Sequence, residues 1–71
     1  VRKEDQLIYD LIFSEKCDFK IDISDYVDDI YEYSEFVSKI KSILKKSKVM
    51  IIENLIIRDS KTVIWNLKVR K

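Results

Sequence analysis

The chain contains neither glycine nor proline in its 71 residues, where average usage gives about five of the first and three or four of the second. Glycine normally supplies left-handed backbone at tight turns, and proline pre-sets the backbone of others. The loops must therefore be built from Asp, Ser, Asn and Lys. A Gly-rich phosphate-binding loop is excluded. The chain is 46% hydrophobic and 38% charged, a globular rather than disordered composition. Its length admits one domain, 1–71, with a small core. The start at Val1 without Met points to a processed chain or a domain excised from a longer protein.

Cys17 is alone and no His is present. No internal disulfide or structural zinc site can form, and a reducing, intracellular setting (cytoplasm or nucleus) is expected. Apolar runs reach only four or five residues, too short to span a membrane.

Hydrophobic spacing divides the chain into elements. In residues 4–16, Leu7, Ile8, Leu11 and Ile12 share one helical face, although Leu7, Tyr9, Leu11 and Phe13 also alternate as a strand would. Residues 19–21 are extended. Ile23, Tyr26, Val27 and Ile30 then predict a second helix over 23–31, capped by Asp22 or Ser24. Phe36, Val37, Ile40, Ile43 and Leu44 predict a third over 34–47, with Ser34 as cap and Lys45 and Lys46 in the last turn. Nothing separates these two, so one helix over 23–47 is the alternative.

From Thr62 to Arg70 the pattern has period two, with Val63, Trp65, Leu67 and Val69 on one side. The β-rich run 49–57 precedes it, and a two-residue turn at Asp59-Ser60 closes a hairpin. In that register Met50, Ile52 and Ile56 face the core, and Ile51, Leu55, Ile57 and Ile64 share the opposite face. Asn54 falls opposite Trp65, which predicts a bulge near Glu53-Asn54.

Helix, short strand, helix, helix, hairpin resembles the winged helix-turn-helix over Glu4 to Val69, on element order and spacing rather than on a signature motif. The resemblance implies an α+β fold of three helices plus a C-terminal β-hairpin wing. It also implies a third helix, 34–47, placed in the DNA major groove, with the wing tip Arg58-Asp59-Ser60-Lys61 on the backbone, in a regulator of transcription or replication. Trp65 is similar in position to the wing Trp of winged helices that bind left-handed DNA. The Asn and Tyr of their third helix, and the Pro before their Trp, are absent here. The winged helices of cullins and PCI-domain subunits are similar in layout and mainly contact proteins. The alternative fold is ββαββ, one long helix on an antiparallel sheet.

Charge is unevenly distributed. Residues 1–35 carry four basic and eleven acidic side chains, a net of −7, and residues 36–71 carry ten and two, a net of +8. The basic half makes duplex DNA the first expected partner. Ser38, Lys39, Lys41, Ser42, Lys45 and Lys46 on the third helix, with Arg58 and Lys61 at the wing tip, are the candidate contacts. The third helix has no Arg, Asn or Gln, so backbone contacts rather than bidentate base contacts are expected from it. Lys68, Arg70 and Lys71 extend the positive strip. A protein partner or self-dimer through Ile51, Leu55, Ile57 and Ile64 is the second expectation, because four exposed aliphatic side chains form a patch that needs a cover.

The carboxylates Asp22, Asp25, Asp28, Asp29 and Glu32 lack calcium-loop spacing and read as a solvated face. Cys17 has no His partner to make it a nucleophile. No catalytic residue, metal, cofactor or small-molecule substrate is expected.

Overall fold

A computed structural model describes residues 2–71. Two α-helices pack on one face of a three-stranded antiparallel sheet. The elements are α1 (Lys3–Phe13), β1 (Asp18–Asp22), short 3-10 turns at Ile23–Asp25 and Ile30–Glu32, α2 (Tyr33–Lys46), β2 (Met50–Arg58) and β3 (Val63–Arg70). The strand order is β1-β3-β2.

The period-two row of β3 becomes the centre of the molecule. Val63, Trp65, Leu67 and Val69 are buried against the helices, together with Phe19 and Ile21 of β1, Leu7 and Leu11 of α1, and Phe36, Val37, Ile40 and Leu44 of α2. Trp65 is fully buried. Its indole Nε1–H donates to the side-chain oxygen of Asn54 on β2, which satisfies the one polar group that so large a buried ring carries.

The three-helix winged arrangement is not what the chain adopts, and neither is ββαββ. Residues 4–13 are helical as their 3.6-residue spacing predicts, so no strand forms there. The expected helix over 23–31 is replaced by the two 3-10 turns. The cause is local. Asp22 caps the first turn as expected, its carboxylate accepting from the Ser24 backbone N–H at 3.1 Å, but Asp29 is extended at φ −102° and ψ 128°, and its carboxylate accepts from the Tyr31 N–H at 3.0 Å to begin a separate turn. A side-chain bond of this kind inside the expected helix competes with its ladder. Ile23 is buried, and Tyr26 and Val27 still pack against the core, but Ile30 is exposed. The 3-10 turn at Ile30–Glu32 runs directly into α2, whose N-cap is Glu32 rather than Ser34.

The end of α2 shows how a chain without glycine turns. The Val49 N–H bonds to the Leu44 carbonyl and the Lys48 N–H to that of Lys45. This is a Schellman closure, with Lys48 in the left-handed region at φ 61° where glycine is usual. Val49 and Leu44, both buried, supply its apolar contact. At α1, Lys71 acts as the closing group. Its Nζ donates to the carbonyls of Asp10, Ser14 and Lys16, placing positive charge on the negative end of the helix dipole.

The hairpin differs from expectation in register. Arg58 pairs with Val63, so the loop is the four residues 59–62, not two. The Asp59 N–H bonds to the Thr62 carbonyl at 2.8 Å and the Asp59 carboxylate accepts from Ser60 N–H. Ile56 therefore pairs with Trp65 and Asn54 with Leu67. The bulge falls at Ile52, between Ile51 and Glu53, and reverses the faces beyond it. Ile51, expected on the open face, pairs with Val69 and packs against the core, and Met50 pairs with Arg70 instead.

Two variants test this account. Lys48→Gly relieves the left-handed strain and is expected to stabilise by about 1 kcal/mol, raising the midpoint of thermal unfolding by about 4–8 °C for a domain of this size. A lowered midpoint contradicts the assignment. Asn54→Ala leaves the Trp65 indole N–H without its partner and is expected to cost about 1–3 kcal/mol in urea unfolding, against less than about 0.5 kcal/mol for the exposed Glu53→Ala.

Candidate nucleic-acid interface

Helix α2 has two flanks on either side of its buried stripe, and they differ in chemistry. Ser34, Ser38, Lys41 and Lys45 follow one another at helical spacing on the flank toward β2. Ser34, Ser38 and Lys41 line a groove of about 330 Å³ with Ile56 and Arg58 of β2 and Val63 of β3. A second depression, which shares Lys41 with the first, is lined by Lys41, Lys45, Lys48, Val49, Met50 and Ile51. Four cationic side chains thus line the two, and among the described residues no carboxylate does. Their floor is aliphatic, because α2 covers β3 and leaves β2 largely open.

The opposite flank faces α1 and is mixed in charge. Lys39 Nζ pairs with the Glu4 carboxylate of α1, in a recess that Glu32 and Glu35 also line. Ser42 and Lys46 follow Lys39 at i+3 and i+7 and are exposed on this flank. Tyr26 stacks on Phe36 here with ring centroids 5.4 Å apart. Partial burial, and then the negative charges of Asp25 and Asp10, push its hydroxyl above the ordinary value of 10.0.

The residues singled out from sequence are therefore only partly brought together. Ser38, Lys41, Lys45 and Arg58 line the two depressions. Lys39, Ser42 and Lys46 lie on the other flank, and Lys61 sits exposed in the hairpin loop. Lys71 is engaged at the end of α1 and leaves the positive strip. Lys48 and Ser34 line them too and were not singled out. The signal for Lys48 was available, seven residues beyond Lys41 and three beyond Lys45, but it lies past the helix end, where helical spacing is not expected to continue. Of the aliphatic set, Leu55 and Ile57 are exposed, and Ile64 is half-buried beside Ile57.

Among the described residues, no group of three His, Cys, Asp or Glu side chains is placed to hold a metal ion, and no helix is long and apolar enough to cross a membrane. No family model, curated protein or solved structure matches the chain.

Tyr26 gives this flank a pH signature. Its folded-state value lies above the unfolded one, so its contribution to stability is fully present below about pH 10 and is lost as pH rises through the folded value. Stability of the parent chain in urea unfolding is expected to fall as pH rises above about 10. Tyr26→Phe is expected to be less sensitive over the same range.

Proposed function

We propose that the chain binds the phosphate backbone of duplex nucleic acid along the groove between α2 and β2. The observation that supports this reading is the row of Lys41, Lys45, Lys48 and Arg58 along two adjoining depressions that no carboxylate of the described residues lines. Cations clustered in this way concentrate a polyanion and release its counterions on contact. Ser34 and Ser38 add hydroxyl donors suited to phosphate oxygens. No Arg, Asn or Gln lies on α2, so the helix offers lysine and serine, and the guanidinium suited to a bidentate base contact is that of Arg58 on β2. Binding is therefore led by the backbone and only weakly selective for sequence. The binding surface is one flank of α2 with the strand beside it, rather than the whole exposed helix.

The second reading, a protein-interaction module, rests on a different feature, the exposure of aliphatic side chains along β2.

Titration of the chain with a short mixed-sequence duplex tests the first reading. With three or four phosphates neutralised, the logarithm of the association constant is expected to fall against log salt with a slope of about −3. Lys41→Ala and Lys45→Ala are each expected to reduce that slope by about 1. Lys39→Ala, which removes a lysine paired to α1, is expected to leave it unchanged. Absence of binding at low salt, or a loss with Lys39→Ala equal to that with Lys41→Ala, contradicts the proposal.

A further inference from the structure

The two edges of the sheet are built differently. Edge strand β1 has five residues in an alternating pattern of burial, and Asp18, Lys20 and Asp22 lie on its open side. Charges at an edge discourage pairing with another molecule. Edge strand β2 has nine residues and no lysine. Five of the nine large hydrophobic side chains exposed among the described residues lie on it: Met50 62%, Ile52 50%, Leu55 57%, Ile56 41% and Ile57 47%.

A strand that is apolar on both faces has the composition of one flanked and covered on both sides. Here β2 has β3 on one side only. Its helix face is largely open, and its second row of backbone groups has no partner strand. The bulge at Ile52 interrupts one end and leaves Asn54–Arg58 as the regular, unprotected stretch.

We infer that this stretch pairs antiparallel with the same stretch of a second copy, joining two three-stranded sheets into one of six strands. The segment is self-complementary about Ile56. Pairing centred there sets Ile56 against Ile56, Leu55 against Ile57 of the second copy, and Asn54 against Arg58 of the second copy. Aliphatic groups thus meet aliphatic groups on both faces. Ile64, registered beside Ile57, extends the apolar strip on the open face of each copy. At each end Glu53 approaches Asp59 of the other copy, and this like-charge contact limits the ladder to five residues.

Within the paired stretch each copy contributes three exposed aliphatic side chains, Leu55, Ile56 and Ile57. Edge pairing covers the sides of these side chains and leaves both sheet faces open, so the interface is smaller than that of a stable specific complex and the dimer is weak and reversible. The two-fold axis of such a pair is perpendicular to the sheet, so both α2 helices lie on the same side. Lys41, Lys45 and Arg58 of the two copies then rim one shared valley. Their repulsion opposes association at low ionic strength, and salt relieves it. This self-association does not depend on nucleic-acid binding, and its salt dependence has the opposite sign.

Sedimentation velocity of the intact chain over a concentration series, at low and high salt, tests the inference. The expected result is a monomer–dimer equilibrium that tightens with salt. Leu55→Lys and Ile57→Lys, both at exposed positions, are expected to weaken it at least tenfold while leaving the far-ultraviolet circular dichroism unchanged. Hydrogen exchange of the dimer is expected to add protection to the amides of Asn54–Arg58 that β3 leaves unpaired, and none at β1. A chain that stays monomeric at its solubility limit in both salts overturns the inference. So does a dimer indifferent to both variants, added protection at β1, or a ladder of higher oligomers such as β2-to-β1 pairing produces.

Discussion

Everything in this domain is referred to the buried row of β3. Val63, Trp65, Leu67 and Val69 form the floor on which both helices rest, and among the described residues β3 is the strand with a neighbour on each side. Trp65 pairs with Ile21 on one side and Ile56 on the other. A slip of one residue on either side would turn an aliphatic set away from the core. A slip of two on the β2 side keeps the faces, and there the Asn54–Trp65 hydrogen bond discriminates. Asn54 sits opposite Leu67, diagonal to Trp65, from where it reaches the indole N–H.

The same geometry redistributes the charges. The +8 of the C-terminal half is not a uniform surface. Lys71 closes α1 across the sheet, and Lys39 holds Glu4 of the same helix, so two of its cations serve to dock the N-terminal, acidic part of the chain. The remaining lysines of α2 divide between its flanks. Only the β2 side gathers them without carboxylates. Charge polarity along the sequence is thus partly a device for internal packing and partly a surface. Which lysine does which is set by its position on the helical wheel.

The elements with strong periodicity were legible in the sequence. Leu7, Ile8, Leu11 and Ile12 announce α1, Phe36 to Leu44 announce α2, and the alternation after Thr62 announces β3. Residues 23–31 were misleading because Ile23, Tyr26 and Val27 have helical spacing and do pack on the core. It is Asp29, with extended backbone and a carboxylate bonded to the Tyr31 N–H, that breaks the ladder. The faces of β2 were illegible for a related reason. VMIIENLII is apolar at almost every position, so period two assigns no side, and the bulge at Ile52 then reverses the side of Ile51. Half of the candidate interface followed from composition. The other half needed the packing of α2 against α1, which separates Lys39 from Lys41.

The most direct test of a sheet centred on β3 is the set of cross-strand backbone nuclear Overhauser contacts in the intact chain. The account predicts contacts from Trp65 to both Ile21 and Ile56, with no continuous helical i to i+3 series across residues 23–31. Contacts from Trp65 to Asn54 as its direct cross-strand partner in place of Ile56, or an unbroken helical series through 23–31, would contradict it.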